Sequence, residues 1–132
     1  MAKGFQKDRA RRRQVAGLGK NLVRRAGKKC ELCGVSGEPM EVVEVQPAPE
    51  IPDESHATLL CAPCRDGVLG GPLEEGRWRF LENAVWSEVA AVQVTAVRLL
   101  RRLGDEGAHW PADLLDTVYL SPEVESWLEA PL

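Results

Sequence analysis

The apolar positions of the chain change period twice. Between residues 8 and 26, Val15, Leu18, Leu22 and Ala26 recur at helical spacing among arginines and lysines, which predicts an amphipathic helix with basic flanks. Gly17 and Gly19 weaken it, each by about 1 kcal/mol relative to alanine, so the helix is expected to fold against a surface. Residues 40–46, MEVVEVQ, are valine-rich with partial alternation and run into Pro47 and Pro49, the pattern of a short strand. PAPEIPDES then reads as a loop and ATLL, at 57–60, as a second strand. The turn-rich RDGVLGGPLEEG follows, and RWRF at 77–80 is predicted to be a third strand.

Helical spacing returns after residue 80. Val89, Val92, Ala96, Leu99 and Leu103 form one row behind Ser87 as cap, with Arg98, Arg101 and Arg102 toward the far end and Gly104 just past it. VAAVQV is apolar on nearly every side, which predicts a buried central helix with Gln93 facing a hydrogen-bond partner. Pro111 and Pro122 suit the first turns of two shorter helices, the second capped by Ser121. The predicted class is α+β: a basic helical arm over 1–29, a β-hairpin module over 30–80, and a helical segment over 81–132 packed on that module.

A zinc staple for the β-hairpin module is expected from the cysteines. The chain has four, Cys30, Cys33, Cys61 and Cys64, in two C-x-x-C pairs. Each pair can present two thiolates to one ion, and zinc prefers four ligands in a tetrahedron. Gly34, directly after CELC, tolerates the backbone turn such a knuckle needs. Iron in the same tetrahedron is the chemical alternative. With four protein ligands no position remains for an activated water, so the expected zinc is structural. His56, five residues before Cys61, reads as a loop or supporting residue beside four available sulfurs.

Charge changes the picture at the N-terminus. The 132 residues carry a formal net charge of −3, but residues 1–29 hold eleven Lys or Arg and one acid, a net +10, which leaves −13 for the rest. Lys7, Arg9, Arg11, Arg12, Arg13, Lys20, Arg24, Arg25, Lys28 and Lys29 are therefore candidate contacts to RNA or DNA phosphates. The rival reading is that the arm folds back on its own acidic body, or docks on a protein partner or a second copy. No run of 18 apolar residues is present to span a bilayer, and the arginine-rich start lacks the apolar segment of a secretory signal. A cytoplasmic protein with reduced, metal-ligating cysteines is expected, without a membrane partner.

Two family resemblances follow from these motifs. CELCG, a short strand ending in proline, and LLCAPCR resemble the HNH endonuclease pattern with a zinc-stapled treble clef. Alignment on Pro47 puts Glu44 where that family has its catalytic histidine; alignment on Cys61 puts His56 near its asparagine and Arg65 where a further histidine stands. What remains resembles that scaffold without its active site. A longer match, C-E-L-C-G at 30–34, Val45, Pro47, Pro49 and Glu50, L-L-C-x-x-C at 59–64, WSEVAAVQV from Trp86 and D-L-L-D-x-x-Y-L from Asp113, resembles PhnA-type zinc-ribbon proteins. That resemblance implies a metal-binding fold and no established activity, and the match does not extend to the SH3-like domain of longer members. No G-x-S-x-G, phosphate loop or paired carboxylate motif appears, and the only histidines are His56 and His109. The sequence thus favours a non-enzymatic structural-zinc module that binds nucleic acid or a ribonucleoprotein assembly through its arm. A protein-interaction module with a docked arm and a degenerate HNH-like nuclease are the alternatives.

Overall fold

The computed structural model describes residues 2–132, with side chains described from Lys7 onward except for Glu75. It begins with two helices, α1 (Ala2–Ala16) and α2 (Gly19–Ala26), where one helix over 8–26 was expected. Gly17 N–H bonds Arg13 O at 2.9 Å and Leu18 N–H bonds Val15 O at 3.0 Å, which closes α1. The chain restarts at Gly19, beside Val42, and this break lets Leu22 turn into the sheet with Leu18, Val23 and Ala26 packed around it. Gly27, in the left-handed region at φ 66°, ends α2.

The sheet is one antiparallel hairpin. β1 (Met40–Glu44) pairs with β2 (Ala57–Cys61), with Val42 opposite Leu59 and Met40 opposite Cys61. Alternation sorts its faces: Ala57 and Leu59 pack with Leu22 of α2, while Val43 and Leu60 join the main core, which Cys61 also enters where the strand ends. Helices on both faces explain why every residue of β2 is buried and why it reads as an unbroken apolar run. Thr58, buried within it, donates its hydroxyl to Val43 O at 3.1 Å.

α3 (Ala62–Val68) follows β2 without a linker. The third strand expected at RWRF is corrected: Glu75–Phe80 forms 3-10 turns that lead into α4 (Leu81–Ala84). Trp78 and Leu81 are both buried, and their three-residue spacing is that of a tight helical turn, not of a strand. Trp78 sits in the main core against Phe80, ring centroids 5.3 Å apart.

α5 (Ala90–Asp105) is the central helix, buried at every position from Ala91 to Val97. Gln93 donates to Val85 O at 2.8 Å and to Tyr119 O at 3.3 Å, as its place on a buried helix demanded. Two boundaries differ from expectation. Ser87 accepts a bond from Val89 N–H at 3.1 Å, one turn before the helix proper, and Gly104 lies inside α5 while Gly107, at φ 110°, follows its end. α6 (Trp110–Thr117) and α7 (Pro122–Glu129) carry their prolines in the first turn, and Ser121 Oγ accepts from Val124 N–H at 3.2 Å. α5 packs on β2, α6 and α7, so the helical segment and the hairpin share one core. No helix among the described residues is long and apolar enough to cross a membrane.

Candidate metal centre

The first cysteine pair is held in a turn by its own backbone. Lys29 and Ser36 form an isolated bridge, Cys30 N–H bonds Val35 O at 2.9 Å, and Gly34 N–H bonds Cys30 O at 3.0 Å with Gly34 at φ 80°. Only a residue without a Cβ takes that last conformation without strain, which is the requirement read from the sequence. Glu31, between the two cysteines, ties the turn to β2. Its N–H bonds Leu59 O at 2.9 Å, and its carboxylate accepts Leu59 N–H at 2.8 Å. The second pair needs no separate support, because Cys61 is both the last residue of β2 and the cap position of α3, and Cys64 lies in that helix's first turn.

These two supports bring the four sulfurs to within 4.8 Å of one another, with Cys33 and Cys61 Sγ 3.7 Å apart. Metal–sulfur bonds of about 2.3 Å in a tetrahedron separate the sulfurs by about 3.8 Å, so the donor set has the size and softness for one thiophilic ion. Cys30, Cys61 and Cys64 are buried and Cys33 is half-buried. Among the described residues this is the one cluster of Cys, His, Asp and Glu with metal-ligand geometry.

The sulfurs do not ionise alike. A hydrogen bond from Cys64, reinforced by the backbone amides of Cys61, Cys33 and Leu32, outweighs burial and draws the Cys30 thiol down to about 4. Burial, with the charge of Cys30 beside it, pushes Cys33 up to about 11. Cys64 is raised as well, first because its proton is shared with Cys30 and then by burial. One negative charge therefore settles in the cluster readily, and thiolates at Cys33 and Cys64 require a cation among them. Arg77 approaches from outside, with Nη2 3.8 Å from Cys64 Sγ.

The other predicted residues lie elsewhere. His56 does not join the sulfurs; its ring lies 4.6 Å from that of Trp127, and its carbonyl accepts Val45 N–H at 2.8 Å. His109 is exposed. Glu44, at the position of a nuclease histidine in the HNH-like alignment, takes two hydrogen bonds from Arg11, 3.0 Å from Nε and 2.7 Å from Nη2. Arg65 pairs with Glu41 at 2.7 Å and with Asp66 at 3.0 Å.

The basic arm divides in two. Arg11 also bonds Glu50 O and Pro49 O at 2.7 Å each, and Arg25 grips Glu31 at 3.0 and 2.7 Å while bonding Glu54 O and Ala57 O at 2.8 Å. These two guanidinium groups, counted among the phosphate contacts from sequence, are engaged within the chain in this structure. Each satisfies backbone carbonyls as well as a carboxylate, which a phosphate could replace only by undocking the arm. Lys7, Arg9, Arg12, Arg13, Lys20, Arg24, Lys28 and Lys29 are exposed. Lys20 and Arg24, one turn apart on α2, and Lys28 just past its end surround a shallow concavity of about 420 Å³ with Val23 and Gly27.

Sequence reasoning missed Glu31, Arg25 and Arg77 as parts of the metal centre's surroundings. Glu31 carried a usable signal, since an acid enclosed between two ligands of an anionic site needs a cation of its own. Comparison with known proteins gives no family model, no curated protein and no solved structure that matches this chain.

Proposed function

We propose that the chain is a non-enzymatic structural-zinc module that contacts nucleic acid through the outward face of its N-terminal arm. The knuckle, hairpin and following helix suit a treble-clef-like arrangement, with zinc joining Cys30 and Cys33 of the turn to Cys61 and Cys64 at the start of α3. Four protein sulfurs complete a tetrahedron and leave no position for a reacting water, which favours a structural ion. Such sites contribute apparent binding energies of about 10–16 kcal/mol in small peptides, a large term for a modest core.

The observation that carries the nucleic-acid reading is the division of the arm. Arg11 and Arg25 fasten α1 and α2 to the body, and the docked helices keep Arg12, Arg13, Lys20, Arg24, Lys28 and Lys29 exposed. A fixed layer of cations suits the phosphate backbone better than base edges, so binding is weakly sequence-dependent. Titration of RNA and duplex DNA at several salt concentrations tests this. The Lys20→Ala, Arg24→Ala, Lys28→Ala triple variant should bind more weakly and with a shallower salt dependence than wild type. Absence of binding to either polymer near 0.1 M salt would refute the reading.

The docking contacts also support a second reading, a protein-interaction module whose arm belongs to its own body. It predicts no polymer binding and a loss of stability when the arm is removed, so the same titration with a melting curve separates the two. A nuclease is supported less: Glu44 is held by Arg11, and Arg65 by Glu41 and Asp66.

A further inference from the structure

From the surroundings of Cys64 we infer that Arg77 is the charge-compensating residue of the metal centre, a guanidinium fixed beside the sulfurs to stabilise the loaded, anionic site. The inference rests on the structural-metal reading. Four thiolates outweigh one divalent cation, so a loaded centre is a net anion, and burial of three of its sulfurs makes that charge costly to leave uncompensated. The protein offers a nearby cation to meet it. Arg77 Nη2 lies 3.8 Å from Cys64 Sγ, and Arg77 lines, with Cys33, Cys61 and Glu38, a notch of about 300 Å³ beside the sulfurs.

Its placement is built. The 3-10 turns of Glu75–Phe80 send Trp78 into the core, and the Arg77 guanidinium lies over the Trp78 ring at 4.8 Å and the Phe80 ring at 5.4 Å from their centroids. Contacts of this kind hold a cation without neutralising it. Among the described residues no carboxylate forms an ion pair with Arg77, in contrast to Arg79 one residue beyond its neighbour, which pairs with Glu82. The charge of Arg77 is thus left to the sulfurs. A hydrogen bond from a cation to a ligand atom draws electron density from the thiolate and orients it, the general part played by groups just outside a metal's ligands.

The test uses full-length protein loaded with zinc alone, and with cobalt as a coloured substitute. Arg77→Met keeps an aliphatic stem over the rings and removes the charge; it should weaken zinc about 10- to 100-fold against a chromophoric chelator and shift the sulfur-to-cobalt charge-transfer band. Arg77→Lys should recover part of the affinity, and Arg79→Met should change neither reading. In wild type, the side-chain N–H resonance of Arg77 should move on zinc addition while that of Arg79 does not, a measurement independent of any variant's folding. Unaltered affinity and band in Arg77→Met, equal losses in the Met and Lys variants, or a stationary Arg77 resonance would each overturn the inference. Wild type that takes up no zinc would instead strike the metal reading itself.

Discussion

Arg11 and Glu44, 33 residues apart in sequence, meet through hydrogen bonds of 3.0 and 2.7 Å, and through them α1 lies along β1. The carboxylate raises the affinity of the Arg11 guanidinium for its proton further, so the pair stays charged wherever Glu44 is ionised. Arg11→Ala or Glu44→Gln should therefore loosen α1 and speed tryptic cleavage after Arg12 and Arg13 without disturbing the cysteine cluster. Because the Arg11 side chain is about a third exposed, added salt should weaken docking in wild type as well. Unchanged cleavage in both variants would show that the pair does not hold the arm.

Glu31 joins three elements at one side chain: the cysteine turn that contains it, Arg25 of α2, and the backbone of Leu59 in β2. Its side chain is only 5% exposed, so truncation takes the carboxylate from the Arg25 guanidinium and leaves a strand N–H without its acceptor. Glu31→Ala should destabilise the protein by about 2–4 kcal/mol in denaturant unfolding. Glu31→Gln retains an oxygen for Leu59 and should cost less. Equal losses would mean that the stabilisation comes from the charge of Glu31 and that the oxygen offered to Leu59 adds nothing to it.

These two contacts mark where sequence stops being informative. A set of candidate ligands declares itself by residue type and spacing, so Cys30, Cys33, Cys61, Cys64 and the turn at Gly34 are legible in the chain itself. So are the helices whose prolines and capping serine act within a few residues. Charge carries no such address. The +10 arm and −13 remainder announce an attraction, but not that Arg11 chooses Glu44 or that Arg25 chooses Glu31, because those partners meet only after the hairpin forms. RWRF fails for a related reason: four residues are too few to separate strand alternation from a 3-10 period, and the burial of Trp78 decides it.

Gly67 of α3 permits that burial. A Cβ built there would stand 2.3 and 2.4 Å from Cζ2 and Cη2 of Trp78, whose ring is enclosed in the core. Gly67→Ala must displace the indole or the helix that bears Cys64, and should cost about 1–3 kcal/mol or more, with weaker metal retention. Gly104→Ala makes the opposite case. The position is helical, exposed and meets nothing within 4 Å, so alanine should stabilise α5 by up to about 1 kcal/mol. Melting curves of the two variants should move in opposite directions, and a Gly67→Ala variant as stable as wild type would contradict the packing at Trp78.

Metal uptake should be coupled to proton release, with the number set by how the four thiols ionise before the ion arrives. Without metal at neutral pH, Cys30 is a thiolate, being held near 4 chiefly by its bond from Cys64, whereas Cys33, raised to about 11, and Cys64, also raised, keep their protons. Coordination requires thiolates, so loading must expel the protons of Cys33 and Cys64 at least. Protons are then products of binding: lowering the pH opposes uptake and raising it favours uptake, between the Cys30 value of about 4 and the Cys33 value of about 11. Release of at least two protons makes the affinity rise at least about 100-fold per pH unit in that window. Titration calorimetry of zinc into metal-free protein, repeated in buffers of different ionisation enthalpy, reads the proton count directly. Heats that do not depend on the buffer would show that the sulfurs are already thiolates, and that the cluster holds its negative charges without help from the ion.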